Sequence, residues 1–158
     1  MSEKVKVVSA VNGRCVINNR DMGIKRQWPG RGSVITFTKE QIEQLMYDNA
    51  FSNMIREGYL YIEDMDVKKE IGLEAEDATT PSIILMDDKT LDRFWRLMPL
   101  SQFKIETKSL TKAQLSMLAD YAIEHGTDGS IDKANYLSEI SGYQVLKGIE
   151  LNRQSKEV

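Results

Sequence analysis

Residues 74–81, EAEDATTP, separate two stretches of this chain whose apolar residues follow different periods. The segment is acidic, small and threonine-rich, and it closes on a proline, so it reads as a linker. Before it, short β-branched and aromatic runs alternate with turn residues. After it, apolar residues recur at helical spacing. The expected fold is therefore α+β: a small N-terminal antiparallel sheet with two helices over residues 1–73, the linker over 74–81, and an all-helical module over 82–158.

In the first stretch, residues 4–11 (KVKVVSAV) and 14–18 (RCVIN) read as strands. Asn12-Gly13 between them is a strong hairpin signal favouring a type I′ turn. Residues 34–37 (VITF) supply a third strand of β-branched and aromatic residues. Thr38 is placed to cap a helix running to about Tyr47, with Gln41 completing a capping box and Ile42, Leu45 and Met46 on one face. After a break at Asp48-Asn49, residues 50–57 form a second helix ended by Gly58. Residues 59–62 (YLYI) are a strand able to return to the sheet, and residues 66–72 add a helical turn or two.

The second stretch begins with residues 82–86 (SIILM), a short strand or an entry segment. Asp87 or Asp88 caps a helix carrying Leu91, Phe94, Trp95 and Met98, and Pro99 stops it. Trp95 thus belongs to a core stripe. Residues 100–108 are amphipathic but short. Thr111 and Gln114 open the clearest helix, with Leu110 and Leu115 as a hydrophobic staple and Leu115, Leu118, Ala119, Ala122 and Ile123 as its buried stripe. Ile131 and Tyr136 repeat the staple around Asp132 in a helix to Ile140 that Gly142 closes. Residues 143–154 make a third helix with Val145, Leu146 and Ile149 apolar, and residues 155–158 should fray.

Charge is segregated. From Arg14 to Lys39 six basic residues (Arg14, Arg20, Lys25, Arg26, Arg31 and Lys39) face one acid, Asp21, whereas the whole chain carries −3. A basic island on an acidic protein gives one surface a preferred partner charge. Trp28-Pro29-Gly30 reads as a turn, so the island is expected to be a loop between strands with a rigid tip. Arg20, Lys25, Arg26, Trp28 and Arg31 are the candidate partner-binding residues, with Trp28 as anchor, because Arg and Trp are enriched at interface hot spots. The competing reading is a charged hairpin whose tryptophan folds back onto the core.

Chemistry-bearing patterns are scarce. Cys15 is the single cysteine and His125 the single histidine, so an internal disulfide, a cysteine zinc site and a multi-histidine metal site are all excluded. Cys15 lies in an apolar strand pattern and reads as a buried thiol, and His125 as a favourable cation at a helix C-terminus. Gly23, Gly30 and Gly32 lack the Gly-Lys-Ser/Thr that a phosphate loop needs. Glu63, Asp64 and Asp66 lack the glycine of a calcium loop, so the acids of residues 57–77 read as a solvated face. No catalytic residue, metal or cofactor is expected, and the chain reads as a non-enzyme. The last three helices invite a helix-turn-helix reading, but Gln144, Lys147, Asn152 and Arg153 opposed by Glu150 are weakly basic, and a small helical bundle is the stronger reading. No apolar run approaches the ~20 residues needed to span a bilayer, and MSEKVKVV lacks the apolar run of a signal peptide. The expected location is the cytoplasm on synthesis, with no membrane partner.

The phrases GRCVINN, IKRQWPGRGSVITF and FSNMIREGYLYIEDMDVKKEIGLE, with LTKAQLSMLADYAIEHG and the closing ELNRQ, resemble small proteins encoded among the structural genes of tailed bacteriophages and prophages. That resemblance implies a virion component or assembly factor (capsid, connector or tail accessory) whose partners are other protein subunits, self or heterologous. It carries no catalytic residues to transfer. The alternative is a nucleic-acid-binding regulator using the basic residues on phosphates and Trp28 for stacking.

Overall fold

The computed structural model describes residues 4–126 and 131–157, and the chain divides into two compact units, Met1–Asp87 and Asp88–Val158. The first is α+β and the second is helical, as the change of period dictates.

In the first unit β1 (Lys4–Ser9) lies between β4 (Val34–Thr38) and β5 (Leu60–Ile62), antiparallel to both. Val7, Val8 and Ser9 are all buried rather than alternating, so both faces of the strand are covered there. β2 (Cys15–Asn19) pairs with β3 (Ile24–Trp28) in a separate two-stranded ribbon. Two expectations fail here. Asn12-Gly13 does not close a hairpin between β1 and β2, because β1 has other partners on both edges. Gly13 has φ +110°, but no described non-glycine residue has positive φ, so Asn12 lacks the conformation a type I′ turn requires. The basic stretch is not one long loop either: residues 24–28 are a strand. The turn joining β2 to β3 is built at Asn19, whose Oδ1 accepts the Met22 N–H at 3.0 Å, and at Gly23, which takes φ +66° and donates to Arg20 O at 3.1 Å.

The helices begin where the capping signals stand. Thr38 caps α1 (Lys39–Leu45): its hydroxyl accepts Gln41 N–H at 3.1 Å while the Gln41 side chain accepts Thr38 N–H at 2.9 Å. Asp48 caps α2 (Asn49–Glu57), Gly58 ends it at φ +92°, and Asp64 caps α3 (Met65–Glu70). Val5, Val7, Ile17, Trp28, Phe37, Ile42, Leu45, Phe51, Leu60 and Ile62 form one core cluster. Residues 74–87 belong to this unit; Glu74 accepts both the amide and the hydroxyl of Ser82, and residues 82–86 form no strand.

The second unit starts with α4 (Asp88–Asp92), which passes directly into a π-helical turn, Arg93–Leu97. Then come α5 (Leu100–Glu106), a 3-10 turn, α6 (Lys112–His125), α7 (Ile131–Ser141) and α8 (Val145–Glu157). Thr111 and Gln114 form the expected reciprocal cap on α6. The buried face of α6 is wider than the expected stripe: Met117 and Tyr121 are buried, whereas Leu115 and Ile123 are half-buried. Ile131 does not act as a staple, being the first residue of α7 and 62% exposed. Gly148 lets α8 approach α6, since a Cβ there would lie 2.7 Å from Ile123 Cδ1. The Asn152 side chain on α8 donates to Ile123 O at 3.2 Å, satisfying a carbonyl in the last turn of α6. Residues 155–157 continue α8, and Val158 lies outside the described residues.

Candidate functional site

The five residues expected to bind a partner have separate fates. Trp28 is 0% exposed; its indole N–H donates to Val7 O at 3.0 Å and its ring centroid lies 6.0 Å from that of Phe37. It is a core residue and not a surface anchor, because the β2–β3 register puts it opposite Cys15 on the inner face of the ribbon. Arg26 is exposed but folded down: its guanidinium lies over the Phe37 ring at 5.6 Å and donates to Thr36 O at 3.4 Å. Arg31 Nε donates to Ala10 O at 3.1 Å and the residue is half-buried. Lys25 stands on the outer face of the ribbon opposite Asn18, and Arg20 sits in the exposed turn. Two of the five, Arg20 and Lys25, thus face outward from the turn end of the ribbon.

That end borders an open concavity of about 490 Å³ lined by Asn18, Arg20, Asp21, Met22, Tyr47 and Asp48, among others. Tyr47 is 84% exposed. Its position follows from the end of α1. The chain turns through Tyr47 N–H to Gln44 O (3.1 Å) and Asp48 N–H to Leu45 O (2.9 Å), while Ile42 and Leu45 face the core. Asp48 ties the two walls together: one carboxylate oxygen accepts Ala50 N–H at 2.9 Å at the start of α2, and the other accepts the Asn19 side-chain amide at 3.2 Å. The concavity therefore has a fixed wall and an aromatic rim. Sequence reasoning passed over Tyr47. The available signal was an aromatic placed off the Ile42–Leu45–Met46 stripe, where burial does not account for it.

The acids of residues 57–77 are partly engaged. Asp64 accepts from Asp66 and Val67 N–H, Glu70 is ion-paired with Lys39, and Glu74 holds Ser82. A broad groove of about 740 Å³ beside α3 mixes signs, with Lys4 and Lys69 among Asp64, Asp66, Glu70 and Glu76. Among the described residues no group of three or more His, Cys, Asp or Glu side chains is placed to hold a metal ion. Cys15 is buried and burial raises its thiol above the ordinary range, which disfavours a thiolate nucleophile.

In the second unit His125 stacks on Tyr121 at 4.0 Å between ring centroids. The Tyr121 hydroxyl donates to Asp92 Oδ1 at 3.0 Å, and Asp92 also receives a two-pronged contact from Arg96. Burial, then the bond to Asp92, pushes Tyr121 up to about 12. On α8 the residues considered for base reading are partly used: Asn152 holds the α6 carbonyl and Arg153 bonds Glu150 at 2.9 Å.

Comparison of the chain with protein-family models, with curated proteins and with solved structures finds no match. No helix among the described residues is long and apolar enough to cross a membrane.

Proposed function

We propose that this chain is a non-catalytic protein–protein interaction component of the tailed-phage structural or assembly class, a capsid, connector or tail accessory protein, and that it docks through the β2–β3 turn. The supporting observation is the coincidence at one concavity of an exposed Tyr47, the turn residue Arg20 and Met22. Tyr, Arg and Met are enriched at protein interfaces, where a rigid aromatic supplies contact area at low entropic cost. Lys25 and Asn18 on the adjoining ribbon face provide a polar rim.

Nucleic-acid binding is the second reading, motivated by Arg20 sharing the concavity with an aromatic ring while Lys25 stands opposite Asn18 on the adjoining ribbon face. Asp21 and Asp48 line the same concavity and oppose a polyanion, which keeps it second.

Light-scattering mass, measured over a salt and concentration series with and without a short DNA duplex, separates the two. Association with itself or with co-expressed structural subunits, weakened by Tyr47→Ala on the order of 30-fold, is the expected result for a hot-spot aromatic. A chain that stays monomeric with every subunit offered, and gains mass only with DNA, overturns it.

A further inference from the structure

The second unit holds a buried lysine. Lys133, in the first turn of α7, is 3% exposed, and its amine donates to Phe94 O at 2.7 Å and to Trp95 O at 2.8 Å while lying 5.1 Å from the Phe103 ring centroid. Both carbonyls belong to the π-helical turn, and the local sequence explains why they need an outside donor. In an α-helix Phe94 O would take the amide of Met98 and Trp95 O that of residue 99. Met98 N–H instead donates to Arg93 O at 2.8 Å, the wider π spacing, and residue 99 is proline, which has no N–H. Buried carbonyls left without donors cost stability, and the lysine amine supplies two donors at one point.

We infer that Lys133 is a register latch, its amine selecting the π-helical turn over the α-helical continuation of residues 93–98. In the α register Pro99 leaves Trp95 O without its donor; in the π register the same missing N–H is the one Phe94 O would take, and the extended Met98 ends the helix before Leu100 can serve Trp95 O. The bond to Phe94 O belongs to the π register alone, because in the α register Met98 N–H would occupy that carbonyl. Slipping by one residue turns the following side chains by about 100° around the helix axis. The latch therefore sets where Leu97 faces, and Leu97 is now 70% exposed. The charged neighbours are occupied elsewhere: Arg93 lies over Phe94 and 3.6 Å from Glu106, and Lys104 lies over Tyr136. This device concerns the second unit and stands apart from the docking reading of the first.

The test is a four-member cycle of wild type, Lys133→Met, Pro99→Ala and the double variant on the full chain. Pro99→Ala restores the amide that Trp95 O lacks, so the double variant can close both carbonyls by the α register without the lysine. K133M is expected to lower the urea midpoint, and P99A to recover at least half of that loss. Scalar coupling across the Met98 hydrogen bond is expected to move from the Arg93 carbonyl in the wild type to the Phe94 carbonyl in the double variant. Should K133M alone fail to fold, refolding of the double variant supports the latch. A double variant that recovers nothing, or one that folds with Met98 still bonded to Arg93, overturns it.

Discussion

Each unit contains one tryptophan, and the two met opposite expectations from their surroundings. Trp95 sits in an apolar helical stripe and reads as core; Trp28 sits among arginines, a proline and glycines and reads as an exposed anchor. Both are fully buried. Both donate their indole N–H to a main-chain oxygen, Val7 O at 3.0 Å and Gly126 O at 3.1 Å. The difference lies in how each is delivered. Trp95 is turned inward by helix periodicity, whereas Trp28 is turned inward by pairing with β2, a contact its neighbours in sequence do not announce. Lys25 and Gln27 stand on the outer face of β3 while Arg26 shares the inner side and covers Phe37, so flanking charge says little about where the tryptophan goes.

The sharpest way to break this comparison is truncation. Trp28→Ala and Trp95→Ala should each cost ~3–5 kcal/mol, the usual range for a buried aromatic reduced to alanine. Chemical denaturation followed by amide resonances in each unit reads the loss, and a Trp28→Ala chain of wild-type stability would return that residue to the surface.

Next is the α6–α8 approach, which has no counterpart in the sheet. Gly148→Val should cost ~1–3 kcal/mol through overpacking against Ile123, and a variant shortening the neighbour, Ile123→Ala, should relieve part of the clash. Thermal unfolding of the single and double variants measures the coupling.

Within the second unit two groups give the pH response opposite signs. Burial pushes Lys133 from 10.5 down to about 8, so between these values the unfolded chain binds the proton that the folded chain has released. Stability therefore rises with pH across this window. A neutral amine still carries two N–H donors for its two carbonyls, so the latch survives the titration. Wild type should gain on K133M from pH 8 to 10.5 in urea midpoints, and a constant gap would contradict this. Tyr121 works in the opposite sense: raised to about 12, it contributes stability present below pH 10 and lost as pH rises through 12, absent from Tyr121→Phe.

The smallest effects belong to the caps. Thr38→Ala in the first unit and Thr111→Ala in the second should each cost ~1 kcal/mol, because both hydroxyls close the same reciprocal box. Unequal losses in thermal unfolding would show that tertiary context overrides the local device.

Much of the fold was legible for a physical reason shared by these features. The boxes at Thr38 and Thr111, the end of α2 at Gly58, the burial of Leu91, Phe94, Trp95 and Met98 and the burial of Cys15 rest on interactions spanning a few residues or on a repeated period. Such signals are printed within one window of sequence. The candidate site was only half legible: Arg20 and Lys25 do face outward, Arg26 and Arg31 are drawn onto Phe37 and Ala10, and Tyr47 was passed over.

By itself, then, the sequence determined the α+β and helical halves, the helix starts and the absence of any internal disulfide, through local geometry and composition. Only the tertiary structure decided that β1 joins β4 and β5 instead of β2, that Trp28 is core, that Tyr47 and Arg20 share one concavity, and that Lys133 meets carbonyls 38 and 39 residues away. Those outcomes depend on which distant strand or helix supplies the missing partner. Unpaired backbone groups and apolar faces can be satisfied by several alternatives, and the choice among them is made by the packing of the whole unit.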